Sequence, residues 1–117
     1  FVWMQGEKDA RMGYGDVYAE SLLGLVEQLK DDLGREGINV VLGRLSDFDM
    51  KNERYPHWTM IRDIQVGLAE ARENWAWVDT DAWNGPDDDL HYTAEGYRNL
   101  GEAFARAALD LMGRRGN

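Results

Sequence analysis

The chain contains no cysteine. That removes disulfides, thiolate metal sites and a thiol nucleophile at once. Serine is nearly as scarce, with only Ser21 and Ser46. Neither stands in the G-x-S-x-G setting that exposes a nucleophile on a strained elbow. Ser21 falls within an apolar helical pattern, and Ser46, in Leu45-Ser46-Asp47, reads as a loop former through its own backbone hydrogen bonds. Positive charge is in short supply: 13 Lys and Arg against 22 Asp and Glu leave a net charge of −9. This argues against nucleic acid, which needs a basic stripe, and against docking on anionic lipid; the plain reading of the acidity is solubility. No apolar run approaches the roughly 20 residues of a membrane helix. No secretory pattern is visible, because Phe1-Val2-Trp3-Met4 passes straight into polar sequence. Internal repeats, linkers and low-complexity tracts are also missing.

What is present suits a folded α/β unit. At 117 residues with 44% hydrophobic content, the chain is one domain or part of one. Such a domain buries roughly two thirds of its surface. Val2-Trp3-Met4 reads as the end of a buried strand. A domain rarely opens in mid-strand, so polypeptide before Phe1 is expected to belong to it. Tyr18, Leu22, Leu25, Val26, Leu29 and Leu33 repeat at helical spacing, with Asp16 as expected N-cap and Gly34 in a C′ position. The β-branched, mostly apolar stretch from Ile38 to Leu45 predicts a strand covered on both faces. Pro56 suits the first turn of a second helix marked by Trp58, Ile61, Ile64, Leu68 and Ala71. Trp75-Ala76-Trp77-Val78-Asp79 reads as a third strand whose two tryptophans share a face, and Asn84-Gly85-Pro86 as a turn. Thr93 is placed to cap a last helix with Tyr97, Leu100, Phe104, Ala107, Ala108 and Leu111 as its buried stripe. The order β-α-β-α-β-α with short loops predicts a parallel sheet with right-handed crossovers. Chemistry in such sheets gathers beyond the carboxyl ends of the strands. Gln5, Ser46, Asp79 and the loop carrying Asp88 and His91 are all expected there.

Two clusters carry candidate chemistry. In Asp88-Asp89-Leu90-His91, a carboxylate three residues before an imidazole can accept its Nδ1–H and fix the tautomer of a general base. Asp87 and Asp89 compete for that place, and a loop-capping role for His91 is the plain alternative. In Trp3-Met4-Gln5-Gly6-Glu7-Lys8-Asp9, the Gln5 amide can donate to a developing oxyanion. Gly6 lets the backbone turn and approach a ligand closely, and Glu7 and Asp9 can orient the loop. An ordinary polar turn is the plain alternative. Arg62 and Gln65, three apart, share a helix face and are expected to reach the loop after the first strand and pair with Glu7 or Asp9. Trp83 is a substrate-contact candidate. Asp87-Asp88-Asp89 lacks the spacing of a calcium loop, and His57 and His91 form no zinc motif, so no metal or cofactor is expected.

Taken together, three segments resemble the carbohydrate-esterase and sialate O-acetylesterase branch of the SGNH/GDSL hydrolases. Trp3-Met4-Gln5-Gly6-Glu7-Lys8-Asp9 is similar to a W-x-Q-G-E-x-D block, Ile61-Arg62-Asp63-Ile64-Gln65 to an R-x-x-Q helix, and the run from Asp88 to Tyr97 to a D-x-x-H block with the helix after it. Their order spans nearly the whole chain. The resemblance implies a three-layer α/β/α, flavodoxin-like fold, with residues 1–117 as the C-terminal portion of a single SGNH-type domain. It further implies His91 as general base, Asp88 as its orienting acid, Gln5 and Gly6 in the oxyanion hole, and O-acetylated sugars as substrates. The family's nucleophilic serine and second-block glycine have no counterpart here, and Lys8 stands where serine is common. A Ser-bearing N-terminal segment or separate chain is therefore an expected partner, and this chain alone is expected to be inactive. Cleavage of polymeric acetyl esters would place the protein outside the cytoplasm, by family analogy. Two other readings stand beside this one: a non-catalytic carbohydrate- or partner-binding module derived from the fold, and an acyltransferase using the same residues.

Overall fold

A computed structural model describes residues 1–86 and 90–114. Strand β1 (Val2–Trp3) leads into helix α1 (Glu7–Met12) and helix α2 (Gly15–Leu33). Strand β2 (Val40–Gly43), helix α3 (Trp58–Glu70) and strand β3 (Trp75–Val78) follow, then a 3-10 turn (Asp81–Trp83) and helix α4 (Ala94–Arg114). The three strands form one sheet in the order β1-β2-β3, all parallel, with Val2 opposite Val41 and Gly43 opposite Val78.

Central β2 is buried along its whole length, because successive side chains point to opposite faces and both faces are covered. Val40 and Leu42 join Tyr18, Leu22, Val26, Trp58, Ile61 and Trp75 in a core beneath α1, α2 and α3. Val41 faces the other way and joins Val78, Leu100 and Leu111 beneath α4. The result is an α/β fold with a parallel sheet between helical layers, as the element order implied. Trp75 and Trp77 both pack toward the α1–α3 side, as their alternation requires. Among the described residues β1 pairs with β2 alone, so its outer edge is open and Val2 is 49% exposed. Beside that edge Phe1, Leu29, Leu33, Ile38 and Met112 help line an open, largely apolar hollow of about 570 Å³.

Several local expectations change. Glu7–Met12 is a helix rather than a polar turn. Its single buried residue, Ala10, leaves no apolar period to read, although Glu7 and Asp9 in the first turn and Arg11 in the last suit its dipole. Helix α2 begins at Gly15 with Tyr14 as N-cap, so Asp16 lies inside the first turn instead of capping it. The strand expected from Ile38 to Leu45 shortens to four residues, since Arg44, Leu45 and Ser46 peel away to meet side chains from α3 and the β3 end. Tyr97 is 53% exposed rather than buried; it stacks near Tyr92 at a ring separation of 5.4 Å. Pro56 lies before the His57 N-cap of α3 rather than in its first turn, and Ala71 is the C-cap of that helix; two other expected ends hold. At Gly34 (φ 59°) the Arg35 N–H returns to the Lys30 carbonyl at 2.9 Å and the Gly34 N–H to Asp31 at 3.1 Å. This paired closure favours a residue without Cβ. At the start of α4 the Thr93 hydroxyl accepts the Gly96 N–H at 2.9 Å.

Candidate active site

The carboxyl edge of the sheet collects two groups of polar residues. The first is the turn from β1 into α1. Gly6 has φ 156°, and a Cβ there would meet Ile61 Cγ2 at 2.9 Å and Leu45 Cδ1 at 3.2 Å. The backbone therefore lies directly against α3. The Gln5 carbonyl accepts the Tyr18 hydroxyl at 2.7 Å and Gln65 Nε2 at 3.0 Å. The Gln5 side-chain amide donates to Asp9 Oδ2 at 2.6 Å, and the Gly6 N–H donates to Glu7 Oε2 at 3.0 Å. Glu7 and Asp9 thus hold the two residues expected to bind an oxyanion. Each carboxylate takes one donor, and one proton of the Gln5 amide is left without a partner among the described residues.

Gln65, on α3, is fully buried. Its Oε1 accepts the Leu45 N–H at 2.8 Å, and its Nε2 donates to the Gln5 carbonyl and to Tyr18 Oη at 3.1 Å. Burial raises the Tyr18 hydroxyl above its ordinary pKa, with the Gln65 hydrogen bond acting the other way. Arg62, one turn earlier, takes a different course from the one expected. It donates to the Leu45 carbonyl and forks onto Asp81, with Nη1–Oδ1 at 2.8 Å and Nη2–Oδ2 at 3.1 Å. Spacing placed Arg62 and Gln65 on one face correctly, but the arginine points toward the β3 end and the glutamine meets the Gln5 backbone instead of Glu7 or Asp9.

The second group begins beyond β3. Arg44 donates to Asp79 Oδ1 and Asp81 Oδ2, each at 2.8 Å, and lies 4.7 Å over the Trp77 ring. Burial acts to raise the Asp81 carboxyl, but the Arg62 hydrogen bond and the charges of Arg62 and Arg44 outweigh it and hold it below the ordinary carboxylate range. Arg62 is affected in the opposite sense: burial acts to lower it, and Asp81 raises it. Of these charges the sequence pattern singled out Asp79 and Arg62 but not Arg44 or Asp81. The signal was register, since Gly43 opposes Val78 and the next residues, Arg44 and Asp79, fall side by side.

From the 3-10 turn the chain runs out to His91 and back. Asn84 bridges Tyr92, the Gly85 N–H donates to the His91 carbonyl at 2.7 Å, and Asn84 Nδ2 donates to Ser46 Oγ at 2.8 Å. His91 is exposed and lines a hollow of about 490 Å³ with Phe48, Asp49, Asn52, Arg54, Tyr55 and Leu90. Phe48, Tyr55 and Trp58 meet edge to face behind this wall. Asp88, expected to orient His91, lies outside the described residues, as do Asp87 and Asp89. Burial raises the Tyr92 hydroxyl above its ordinary pKa, a hydrogen bond with Thr80 opposes this, and Glu7 is the leading charge acting on it. The two groups are joined through the end of β2, where Gln65 links the Gln5 carbonyl to the Leu45 N–H and Asn84 donates to Ser46 Oγ. Trp83 is half-buried against the α4 core and lies apart from the hollow beside His91. Ser46 is 2% exposed, with its carbonyl accepting Trp58 Nε1 at 2.7 Å; Ser21 sits on the exposed face of α2. Among the described residues no three His, Asp or Glu side chains gather as a metal site, and no helix is long and apolar enough to cross a membrane.

A parallel α/β sheet with polar loops converging at its carboxyl edge defines an α/β protein of the kind that binds or transforms ligands there. The family model for carbohydrate esterases, described as sialic acid-specific acetylesterase, matches residues 1–110, and the chain belongs to that family. A solved structure of a protein from Arabidopsis thaliana has the same fold, with a TM-score of 0.75 and 25% sequence identity over 93% of this chain. The matched region is 43% of the Arabidopsis chain, so this chain spans less than half the length of that relative. No curated protein matches the chain.

Proposed function

We propose that this chain supplies the base, its orienting acid and part of the oxyanion hole of an SGNH/GDSL-type carbohydrate O-acetylesterase. The observation that carries the reading is that the Gln5–Gly6 turn and the segment after β3 are both tied to the end of β2: Gln65 joins the Gln5 carbonyl to the Leu45 N–H, and Asn84 donates to Ser46. The nucleophile is a serine from polypeptide beyond these 117 residues, on a strand that pairs with the open edge of β1. Support comes from that unpaired edge, from the burial of Ser46, and from the greater length of the Arabidopsis relative.

In this mechanism the serine hydroxyl attacks the acetyl carbonyl while His91 takes its proton. Asp88 accepts the His91 Nδ1–H and stabilises the imidazolium. The remaining Gln5 amide proton, joined by the Gly6 N–H once that is released from Glu7, stabilises the tetrahedral oxyanion. The sugar oxygen leaves with the proton from His91. Water then attacks the acyl-enzyme as His91 takes its proton, and the bond to the serine oxygen breaks as His91 returns that proton to it, releasing acetic acid as acetate. One observation favours a second reading, a non-catalytic carbohydrate- or partner-binding module: the Gly6 N–H is already taken by Glu7.

The chain alone is expected to give no turnover of p-nitrophenyl acetate. Joined to a Ser-bearing strand and its loop, it should release acetate from acetylated xylan oligosaccharides, and His91→Ala should lower kcat by about 10³-fold or more. Binding without acetate release in the joined protein favours the module. Turnover by the chain alone that survives Ser46→Ala and Ser21→Ala overturns the role given to the external serine.

A further inference from the structure

We infer that Asp81 is a positioning residue for His91: gripped by Arg62 and Arg44, it fixes the turn from which the His91 loop hangs. The inference rests on the reading of His91 as the base only for its catalytic meaning. Its geometry stands on separate contacts.

Both ends of the grip are secured. Arg62 is tied to the Leu45 carbonyl, and Arg44 is tied to Asp79 and laid on Trp77. The two arginine side chains are 11% and 15% exposed and the Asp81 carboxylate 28%. These charges are thus less screened than an open surface pair, and removing the carboxylate leaves two part-buried cations facing each other. Beyond Asp81 two backbone hydrogen bonds close the neck of the loop. The Thr93 N–H donates to the Trp83 carbonyl at 3.4 Å and the Gly85 N–H to the His91 carbonyl at 2.7 Å, and together they make the antiparallel bridge between Asn84 and Tyr92. The fit at the second bond is close, since a Cβ on Gly85 would stand 3.1 Å from the His91 carbonyl oxygen. The returning arm, from His91 into α4, has its own anchor in the Thr93 cap. The outgoing arm has the Asp81 grip and the Asn84–Ser46 hydrogen bond. Asp81 therefore sets where the Gly85 N–H lies, and Gly85 sets the backbone of His91.

The chain has two histidines, His57 and His91, so imidazole proton–carbon spectra resolve one probe and one internal control. His57 sits at the start of α2, where its Nδ1 accepts the Gly15 N–H at 3.0 Å, and it takes no part in the grip. In Asp81→Ala the His91 Hε1 resonance should move and the Gly85 amide should exchange at least about tenfold faster, with His57 and the core of α2 unchanged. Asp81→Asn, which keeps the shape and loses the charge, should show the same pattern to a smaller degree. Unchanged His91 resonances with Gly85 exchange within about twofold of the parent overturn the inference. So does an equal loss of protection at Gly85 and throughout α2, which would mark Asp81 as a general stabiliser. Should Asp81→Ala fail to fold, Asp81→Asn and Arg44→Lys are read by the same criteria. The base assignment is judged separately by His91→Ala in the joined esterase. Activity without His91 sinks the base and leaves the displacement result standing.

Discussion

Replacing Gln65 by leucine tests the polar connection between the two halves of the site. Leucine fills nearly the same volume, so the packing change is small. The loss is of hydrogen bonding. Gln65 Oε1 is the partner of the Leu45 N–H, and both residues are fully buried. In Gln65→Leu that N–H has no acceptor, which costs about 1–3 kcal/mol. The Gln5 carbonyl suffers less, because it keeps the Tyr18 hydroxyl at 2.7 Å. The expected destabilisation is about 2 kcal/mol, a large share of the roughly 5–15 kcal/mol of a typical domain. For a chain of this length that lowers Tm by roughly 5–12 °C. Urea unfolding followed by circular dichroism measures it, with Gln28→Leu as the control. Gln28 is exposed on α2 and among the described residues bonds only Asp32, so its change should stay within about 0.5 kcal/mol. Gln65→Glu should be worse than Gln65→Leu at neutral pH, since it turns a carboxylate oxygen toward the Gln5 carbonyl in a buried place. A Gln65→Leu protein within about 0.5 kcal/mol of the parent, or the reverse order for the two variants, would refute the reasoning.

Asp81 makes a pH prediction. Its folded carboxyl lies below the ordinary value, so its stabilising contribution is full above about pH 4 and fades as pH falls through the lowered folded value. Tm measured against pH should therefore drop more steeply below pH ~4 in the parent than in Asp81→Asn; parallel curves contradict the assignment. Gly96→Ala puts a Cβ 2.6 Å from the Trp83 carbonyl oxygen, and the clash should outweigh the gain in helix propensity, for a net loss of about 1–2 kcal/mol. On the same helix Gly101→Ala meets open space and should gain about 0.5–1 kcal/mol, so thermal melts of the pair should move in opposite directions. Val2→Lys on the open edge of β1 should reduce self-association of the chain in sedimentation experiments, as charge on an edge strand does; equal association in both proteins would show that the edge is not the contact.

The layered α/β order was legible because β2 is continuously apolar and the long helices carry a clear period. Helix α1 was not, since one buried alanine in six residues makes no stripe. Residue spacing grouped Gln5, Gly6, Glu7 and Asp9 as one polar cluster, and the structure links Gln5 to Asp9 and Gly6 to Glu7 by hydrogen bonds, with the two acids on a helix. Spacing does not reveal which neighbour a shared helix face will meet, and for that reason Arg62 was assigned Glu7 or Asp9 when its partner is Asp81. Tyr97 shows the same limit: the helical period places it on the buried stripe, but α4 begins its contact with the sheet at Leu100 and leaves the first turn against the His91 loop. The hollow beside His91 depends on residues from 48 to 91 meeting through the fold, and no local pattern encodes that.

Arg62 and Gln65 also explain why a modest R-x-x-Q pattern is informative. Three residues on a helix put both side chains on one face, and here both reach the peptide units of a single residue. Gln65 accepts the Leu45 N–H while Arg62 donates to the Leu45 carbonyl. Each side chain then extends to a different half of the site, Gln65 to the Gln5 carbonyl and Arg62 to Asp81. Leu45 is where β2 has left the sheet, so its backbone groups need partners that a strand would otherwise provide. The pair meets that need and, with the same two side chains, ties the Gln5–Gly6 turn and the turn at Asp81 to one residue. Losing either one should disturb both halves, whereas shortening Glu7 or Asp9 should disturb only the first.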